Sequence, residues 1–325
     1  MDGDVPLVAG IRIWFVKVVR SIAGMSKHIG IRPWVDFAFR KIFGKPGNDI
    51  CLISLLNSVL CLPKAIQSVE FQNPFSLKDY QEDKLVCVDV KARDVSGRVF
   101  VVEIQLVLHA SFAKRAVFYA CSAYTDQLSR GQGYGELKAT FCICLLMRNL
   151  WGDAQLHHQY RLAERTTGGL IEDSIEIHTI ELSKYDGASE SIQFATELQK
   201  WCYWIKNAHR HTEEDLRRLL PSLEFLQATS ELSEIQAITE EKEMYDSREK
   251  AILDYESNLM DARQEGRQEG RQEGELIGME IGRIQLLQEL LDLPLLDREE
   301  FTSMPLAELV KLRKRLQVKL RDRNA

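Results

Sequence analysis

The sequence contains no Cys-x-x-Cys pair, and its seven cysteines, Cys51, Cys61, Cys87, Cys121, Cys142, Cys144 and Cys202, are odd in number. Neither a disulfide framework nor a zinc ribbon fits that spacing, so a reducing, cytoplasmic setting is expected. Long apolar runs are missing as well. The stretch from Val5 to Val19 is broken by Arg12 and Lys17 and falls short of the roughly 20 residues that a spanning helix requires, so no membrane association is expected. It also lacks the charged start, apolar centre and small-residue cleavage site that a signal peptide shows in that order. Met25 offers an alternative start, and residues 1–30 are read as an N-terminal extension without an assigned role. An excess of positive charge is absent too: 42 Lys and Arg stand against 48 Asp and Glu, a net charge of -6. The balance is uneven along the chain. Residues 1–211 carry 25 basic against 22 acidic side chains and residues 212–325 carry 17 against 26, so a phosphate-binding surface is expected in the first part.

What is present is ample apolar material, 45% of 325 residues, enough for a domain of roughly 100 to 200 residues and an appendage. From Asp36, DFAFRKIFG places Phe39, Ile42 and Phe43 at helical spacing and stops at Gly44 and Pro46. A second helix is expected from Asn48, a good N-cap, to near Pro63. The period then changes. Ile66 to Phe71, Leu85 to Arg93 and Val99 to Val107 read as strands, and Val86, Val88, Val90 and Ala92 alternate with Cys87, Asp89, Lys91 and Arg93. Residues 94–98, DVSGR, predict a hairpin loop with Gly97 in the left-handed position. A helix from Ser111 to Ser129, a strand from Ala139 to Met147 and another from Ser174 to Leu182 follow, an α/β order of helix, three strands, helix, strand. From Phe194 the pattern is helical, including the Leu-rich stretch Leu216 to Leu226. Three successive Arg-Gln-Glu-Gly repeats run from Arg263 to Gly274, and two apolar-periodic segments, Ile281 to Leu291 and Leu306 to Leu320, predict a small helical hairpin. The expected division is an extension at 1–30, an α/β domain at 31–211 and a helical region at 212–325.

The hairpin register places Glu103 opposite Asp89, with Cβ atoms roughly 4.5 to 5.5 Å apart. Like charges so opposed repel, and a hard divalent cation such as magnesium relieves the repulsion and can activate water against a phosphodiester. The competing reading is a solvated strand face whose acids pair with Lys91 and Arg93. Gln105 shares the face of Glu103, where it can orient water but cannot accept its proton. Asp36 is a third acidic candidate or an ordinary helix cap, worth about 1 kcal/mol in the latter role. Lys114, Arg115, Tyr119, Tyr124 and Gln127 lie on the helix after the hairpin, with Arg115 and Tyr119 four apart on one face. His157-His158 and His209-x-His211 lack acidic or cysteine ligands at metal spacing, and Cys142 and Cys144 alternate on one strand face as small core residues.

The segment DVKARDVSGRVFVVEIQ, Asp89 to Gln105, resembles the signature of the Rpn family of recombination-promoting nucleases and transposases, within the PD-(D/E)XK nuclease superfamily. The similarity extends to WVDFAFRKIFG, to KRAVFYACSAYTDQL from Lys114, to GYGELKATFCICLL from Gly133 and to SIEIHTIEL from Ser174. It also takes in the repeats and the Leu-rich C-terminus, so that only the first 30 residues lie outside it. The resemblance implies a PD-(D/E)XK core with a helical C-terminal extension. It further implies metal-dependent cleavage of DNA in recombination or mobile-element activity, with Asp89 and Glu103 holding magnesium. Arg115, Tyr119 and Gln127 match the family's DNA-contacting or supporting positions, and Asp36 could join the metal ligands. The Glu103-x-Gln105 element departs from the superfamily's acid-x-Lys, which leaves the general base unassigned. A DNA-binding or helical assembly protein without catalysis is the alternative. The repeats bring like charges together at every fourth residue and predict that a second helix, most simply that of a homodimer, stabilises the segment.

Overall fold

The computed structural model describes residues 27–75, 88–172 and 174–323. The N-terminal extension up to residue 26 and the expected strand start at Leu85 to Cys87 lie outside the described residues. By internal packing the chain divides into two compact units, one up to Lys250 and one from Ala251.

In the first unit, α1 (Asp36–Gly44) and α2 (Asp49–Leu60) form where the apolar spacing predicts them. Asn48 occupies the N-cap position of α2, but its side chain does not cap the helix. Its amide is buried, donating to the Lys41 carbonyl at 3.1 Å and accepting from Gln227 at 2.9 Å. The first strand is shorter than the apolar run suggests. The Asn57 amide takes both backbone groups of Ile66, at 2.8 and 3.0 Å, and β1 begins only at Val69 (Val69–Phe71). β2 (Val90–Asp94) and β3 (Val99–Gln105) form the hairpin in the expected register, Arg93 opposite Val99 and Lys91 opposite Val101. Gly97 takes φ +86° in its turn, and Asp94 braces the loop by accepting from Ser96 and Arg98. Val88, ahead of β2, packs instead on the other face, with Val99 and Val101.

The helix α3 (Phe112–Thr125) crosses from β3 to β4 (Thr140–Leu146), which pair in parallel, and β6 (Ile175–Glu181) pairs in parallel with β4. A six-stranded mixed sheet results, in the order β1-β2-β3-β4-β6-β5. Its last member, β5 (His157–Arg161), was not expected: HHQYR shows no apolar alternation because it is an edge strand, antiparallel to β6, facing solvent along much of its length. One face of the sheet is covered by α3, where Val101, Ala116, Ala120, Cys142, Cys144 and Leu146 form a core cluster.

Helices α4 (Glu197–Asn207), α5 (Glu213–Leu219) and α6 (Leu223–Ala237) complete this unit with the start of α7 (Thr239–Leu290). The Leu-rich stretch Leu216 to Leu226 is two helices rather than one. Pro221, which cannot donate a backbone bond, falls between them, and the Thr212–Asp215 capping box starts the first. Trp201 and Trp204 are fully buried, with indole nitrogens satisfied by Ser54 and Thr229 at 3.1 and 3.0 Å. Lys41 is also buried, joined to Glu231 at 3.5 Å, to Glu234 at 3.2 Å and to Glu241, which ties α1 to α6 and α7.

The second unit holds the rest of α7, including the Arg-Gln-Glu-Gly repeats, then α8 (Arg298–Thr302) and α9 (Leu306–Arg323). Ile284, Leu287, Phe301, Leu309 and Leu316 make its core, as the two apolar-periodic segments lead one to expect of a helical hairpin. Among the described residues no helix is long and apolar enough to cross a membrane.

Candidate active site

Period-two alternation and the tight Gly97 turn bring the two carboxylates together. Asp89 lies one residue before β2, and Glu103 is buried within β3 at 5% exposure. Each carboxylate accepts from the backbone beside the other: the Asp89 N–H donates to Glu103 Oε1 at 3.2 Å, and the Ile104 N–H donates to Asp89 Oδ2 at 2.8 Å. Burial raises the Asp89 carboxyl to about 7. The Ile104 N–H opposes that rise, the Asp36 charge adds to it, and the Arg40 and Arg115 charges oppose it. Burial likewise pushes Glu103 well above the ordinary carboxylate range, and the Asp89 charge adds to the shift. Lys91 is not the partner of Asp89, because its ammonium pairs with Asp126 across 3.4 Å.

Gln105 lies two residues beyond Glu103 and uses both ends of its amide. Nε2 donates to Glu103 Oε2 at 3.2 Å, and Oε1 accepts from Arg115 at 3.1 Å. The Arg115 guanidinium also sits 5.7 Å from the Tyr119 ring centroid, as their spacing on one face of α3 allows, and its Nε is buried without a hydrogen-bond partner. Burial and the Glu103 charge raise the Tyr119 hydroxyl, leaving it a neutral donor near pH 7. Asp36 opens α1 behind Val35, which holds the N-cap position. Its Oδ1 accepts from Phe37 at 2.9 Å, and its Oδ2 lies 3.9 Å from Arg248.

Among the described residues no group of three or more His, Cys, Asp and Glu side chains is disposed to hold a metal ion, and the Asp36 charge is felt at Asp89. The pair of Asp89 and Glu103 nonetheless fits a hard cation: two adjacent carboxylates, both resisting ionisation chiefly because they are buried, offer oxygen ligands that a divalent ion with its own waters would complete. Gln127 stands apart from them. Its amide clamps the start of β4, donating to the Lys138 carbonyl and Thr140 Oγ1, both at 2.9 Å, and accepting from the Lys138 N–H at 3.0 Å. Lys114 and Tyr124 form no hydrogen bond or ion pair with the carboxylates.

Arg40 is the residue that sequence reasoning missed. It follows Asp36 by four on α1, a spacing that sets both on one helix face, and that was the available signal. Of the histidines, His157 stacks on His178 at 5.1 Å, His158 Nε2 lies 3.1 Å from Asp153, His209 meets Trp34 edge-on at 4.9 Å, and His211 Nε2 lies 2.8 Å from the Tyr203 hydroxyl.

A sheet carrying one carboxylate on β3 and a second just ahead of β2, flanked by an arginine and a tyrosine from the crossover helix, suits hydrolysis of a phosphate ester. The family described as PD-(D/E)XK nuclease family transposase matches residues 33–262, and the chain belongs to it. Membership makes this a nuclease lineage linked to mobile elements, in which divalent metals generally serve catalysis and DNA is the partner. The match ends at Ala262, before the repeats, and is narrower than the resemblance of nearly the whole chain. No curated protein and no solved structure matches the chain.

Proposed function

We propose that the protein is a magnesium-dependent endodeoxyribonuclease of the Rpn type, hydrolysing DNA phosphodiester bonds in recombination or mobile-element activity. The observation that carries this reading is the mutual engagement of Asp89 and Glu103, each accepting from the backbone N–H beside the other within a buried, charge-burdened pair. Asp89 and Glu103 would hold a divalent cation, which when bound would supply Lewis-acid polarisation of the phosphate and activation of water. Gln105 holds the free oxygen of Glu103 in place and links it to Arg115. Arg115 offers the phosphate a charge that grows in value as the phosphorus gains negative charge. Tyr119 presents a protonated hydroxyl on the same helix face and orients the strand. Gln127 supports the site by fastening the β4 entry against the end of α3. Asp36 and Arg40 set the field at Asp89 from α1.

The engagement of both ends of Gln105 favours a second reading, a DNA-binding protein without catalysis, since no amine stands where the superfamily places lysine. Supercoiled plasmid incubated with and without magnesium separates the two. The nuclease reading expects nicking or linearisation by wild type in magnesium alone and its loss in Glu103→Ala, a fall of at least a hundredfold. DNA retained on the protein without conversion of the plasmid would leave the second reading standing.

A further inference from the structure

Helix α9 presents two unlike faces. Leu309, Leu312, Leu316 and Leu320 pack with Ile284, Leu287 and Phe301 in the core of the second unit. Between Leu306 and Arg323 the helix carries seven basic residues and two acidic ones, Glu308 and Asp322, a net charge of +5 in a chain of -6. Residues 212–305, by contrast, carry ten basic against 24 acidic side chains. Two of the seven cations are used inside the unit: Arg313 donates to Glu280 at 2.6 Å, and Arg323 donates to Asp292 at 2.9 Å and to the Leu290 carbonyl at 3.1 Å. The other five, Lys311, Lys314, Arg315, Lys319 and Arg321, are exposed. None of them forms an ion pair with a described residue.

Lys311, Arg315 and Lys319 recur every four residues, about 6 Å apart along the helix. Like charges at that spacing destabilise a helix by a few tenths of a kcal/mol per pair unless an opposite charge lies over them. A regularly charged polyanion meets that need. We infer that the outer face of α9 binds the phosphate backbone of DNA, as a second and sequence-independent contact outside the carboxylate pair. A lipid surface suits it poorly, because the leucine face is already covered and Val318 is the sole large apolar side chain exposed on α9. This inference rests on the reading of the protein as one that acts on DNA. It adds a binding module whose role is to hold substrate rather than to cut it.

The test measures affinity of the full-length protein for a 30-base-pair duplex in EDTA across a salt series. It is followed by single-turnover cleavage in magnesium with the protein in saturating excess over DNA. Changing Lys311, Lys314, Arg315 and Lys319 together to Gln should weaken binding roughly tenfold or more at low salt and reduce the slope of log affinity against log salt by about three. The cleavage rate at saturation should stay unchanged. A second variant with Lys311, Lys314 and Lys319 changed to Arg should bind as wild type does, which separates charge from helix integrity. Wild type that binds and cuts DNA, with the same salt slope in the Gln variant, would overturn this inference and leave the nuclease reading intact. Wild type that does not bind DNA would overturn both. A Gln variant that keeps its DNA affinity but loses mass in sedimentation would also overturn it, assigning the face to the acidic helices of a second copy.

Discussion

At the scale of single residues, the site is defined by charges held where they are costly. Asp89 rises to about 7 because its carboxylate is buried and the Asp36 charge adds to the rise, so in the absence of metal it destabilises the protein in its ionised form. The nearly isosteric Asp89→Asn should leave the stability of the metal-free protein level or raise it, while nuclease activity is lost. Magnesium should raise the melting temperature of wild type, since an ion bound only by the folded state stabilises it, and the increment should shrink in the variant. Thermal melts in EDTA and in magnesium check this, and an equal metal response in the two proteins with activity retained would remove Asp89 from the site. His178 gives a pH dependence of its own. Burial lowers its pKa from 6.5 to about 3, helped by neighbouring His157 and Arg161, while Glu176 Oε1 lies 3.2 Å from its Nε2. The folded state keeps this ring neutral while the unfolded chain takes up a proton below pH 6.5, so its contribution is intact above that value and is lost progressively as pH falls towards 3. Between pH 7.5 and 5 the loss from this ring reaches about 2 kcal/mol at most. Urea unfolding at the two pH values should show a smaller drop in His178→Asn than in wild type, and identical drops would show that this ring does not set the acid sensitivity.

At the scale of elements, the helix bearing Asp36 and Arg40 is fixed from behind. Lys41, on the same helix and 1% exposed, meets the carboxylates of Glu231, Glu234 and Glu241, and Lys45 adds a bond to Glu231 at 3.0 Å. Removing one partner from such a set leaves buried charge uncompensated, so Lys41→Met should cost roughly 3 kcal/mol in urea denaturation. Pairing it with Glu231→Leu should restore part of that loss, because both charges then disappear. Equal costs for the single and double variants would show that the interaction contributes through packing alone. Here the limits of the sequence are physical. Phe39, Ile42 and Phe43 announce α1, but a lysine within that run gives no sign that three glutamates some two hundred residues away will surround it. Asn48 and Asn57 read as local polar residues, yet their amides bond partners distant in space or complete the backbone of a truncated strand.

At the scale of the whole molecule, the repeats set the expectation of association. In α7, Arg263, Arg267 and Arg271 recur at every fourth residue, as do Glu265, Glu269 and Glu273, and added Cβ atoms at Gly266, Gly270 and Gly274 would meet nothing. Glycine costs roughly 1 kcal/mol per residue in a helix relative to alanine, and the like-charged rows add to that cost, so a 52-residue helix of this composition calls for a partner. Pairing with α7 of a second copy, Arg row against Glu row across the glycine stripe, would supply one. Sedimentation should then give a dimer for the full chain and a monomer for a truncation after Tyr255. Equal association by both would exclude this segment as the source.

What the sequence by itself determined is whatever rests on local periodicity and turn chemistry. The hairpin and its register, from Arg93 opposite Val99 to Val90 opposite Val102, follow from alternation and from a glycine that tolerates φ +86°, and Asp89 meets Glu103 one residue beyond the paired strand. The crossover helix and the parallel core strands were legible for the same reason. The tertiary structure decided what depends on neighbours far along the chain. Arg40 joins the field at Asp89 only because α1 is packed beside the hairpin, and the polar edge strand β5 exists only because β6 offers it a ladder. Gln127, matched to the family's DNA-contacting or supporting positions, is held by Lys138 and Thr140 because α3 ends against the start of β4, a placement its own helix does not announce. Hydrogen bonds and charges act through space, and only folding sets those distances.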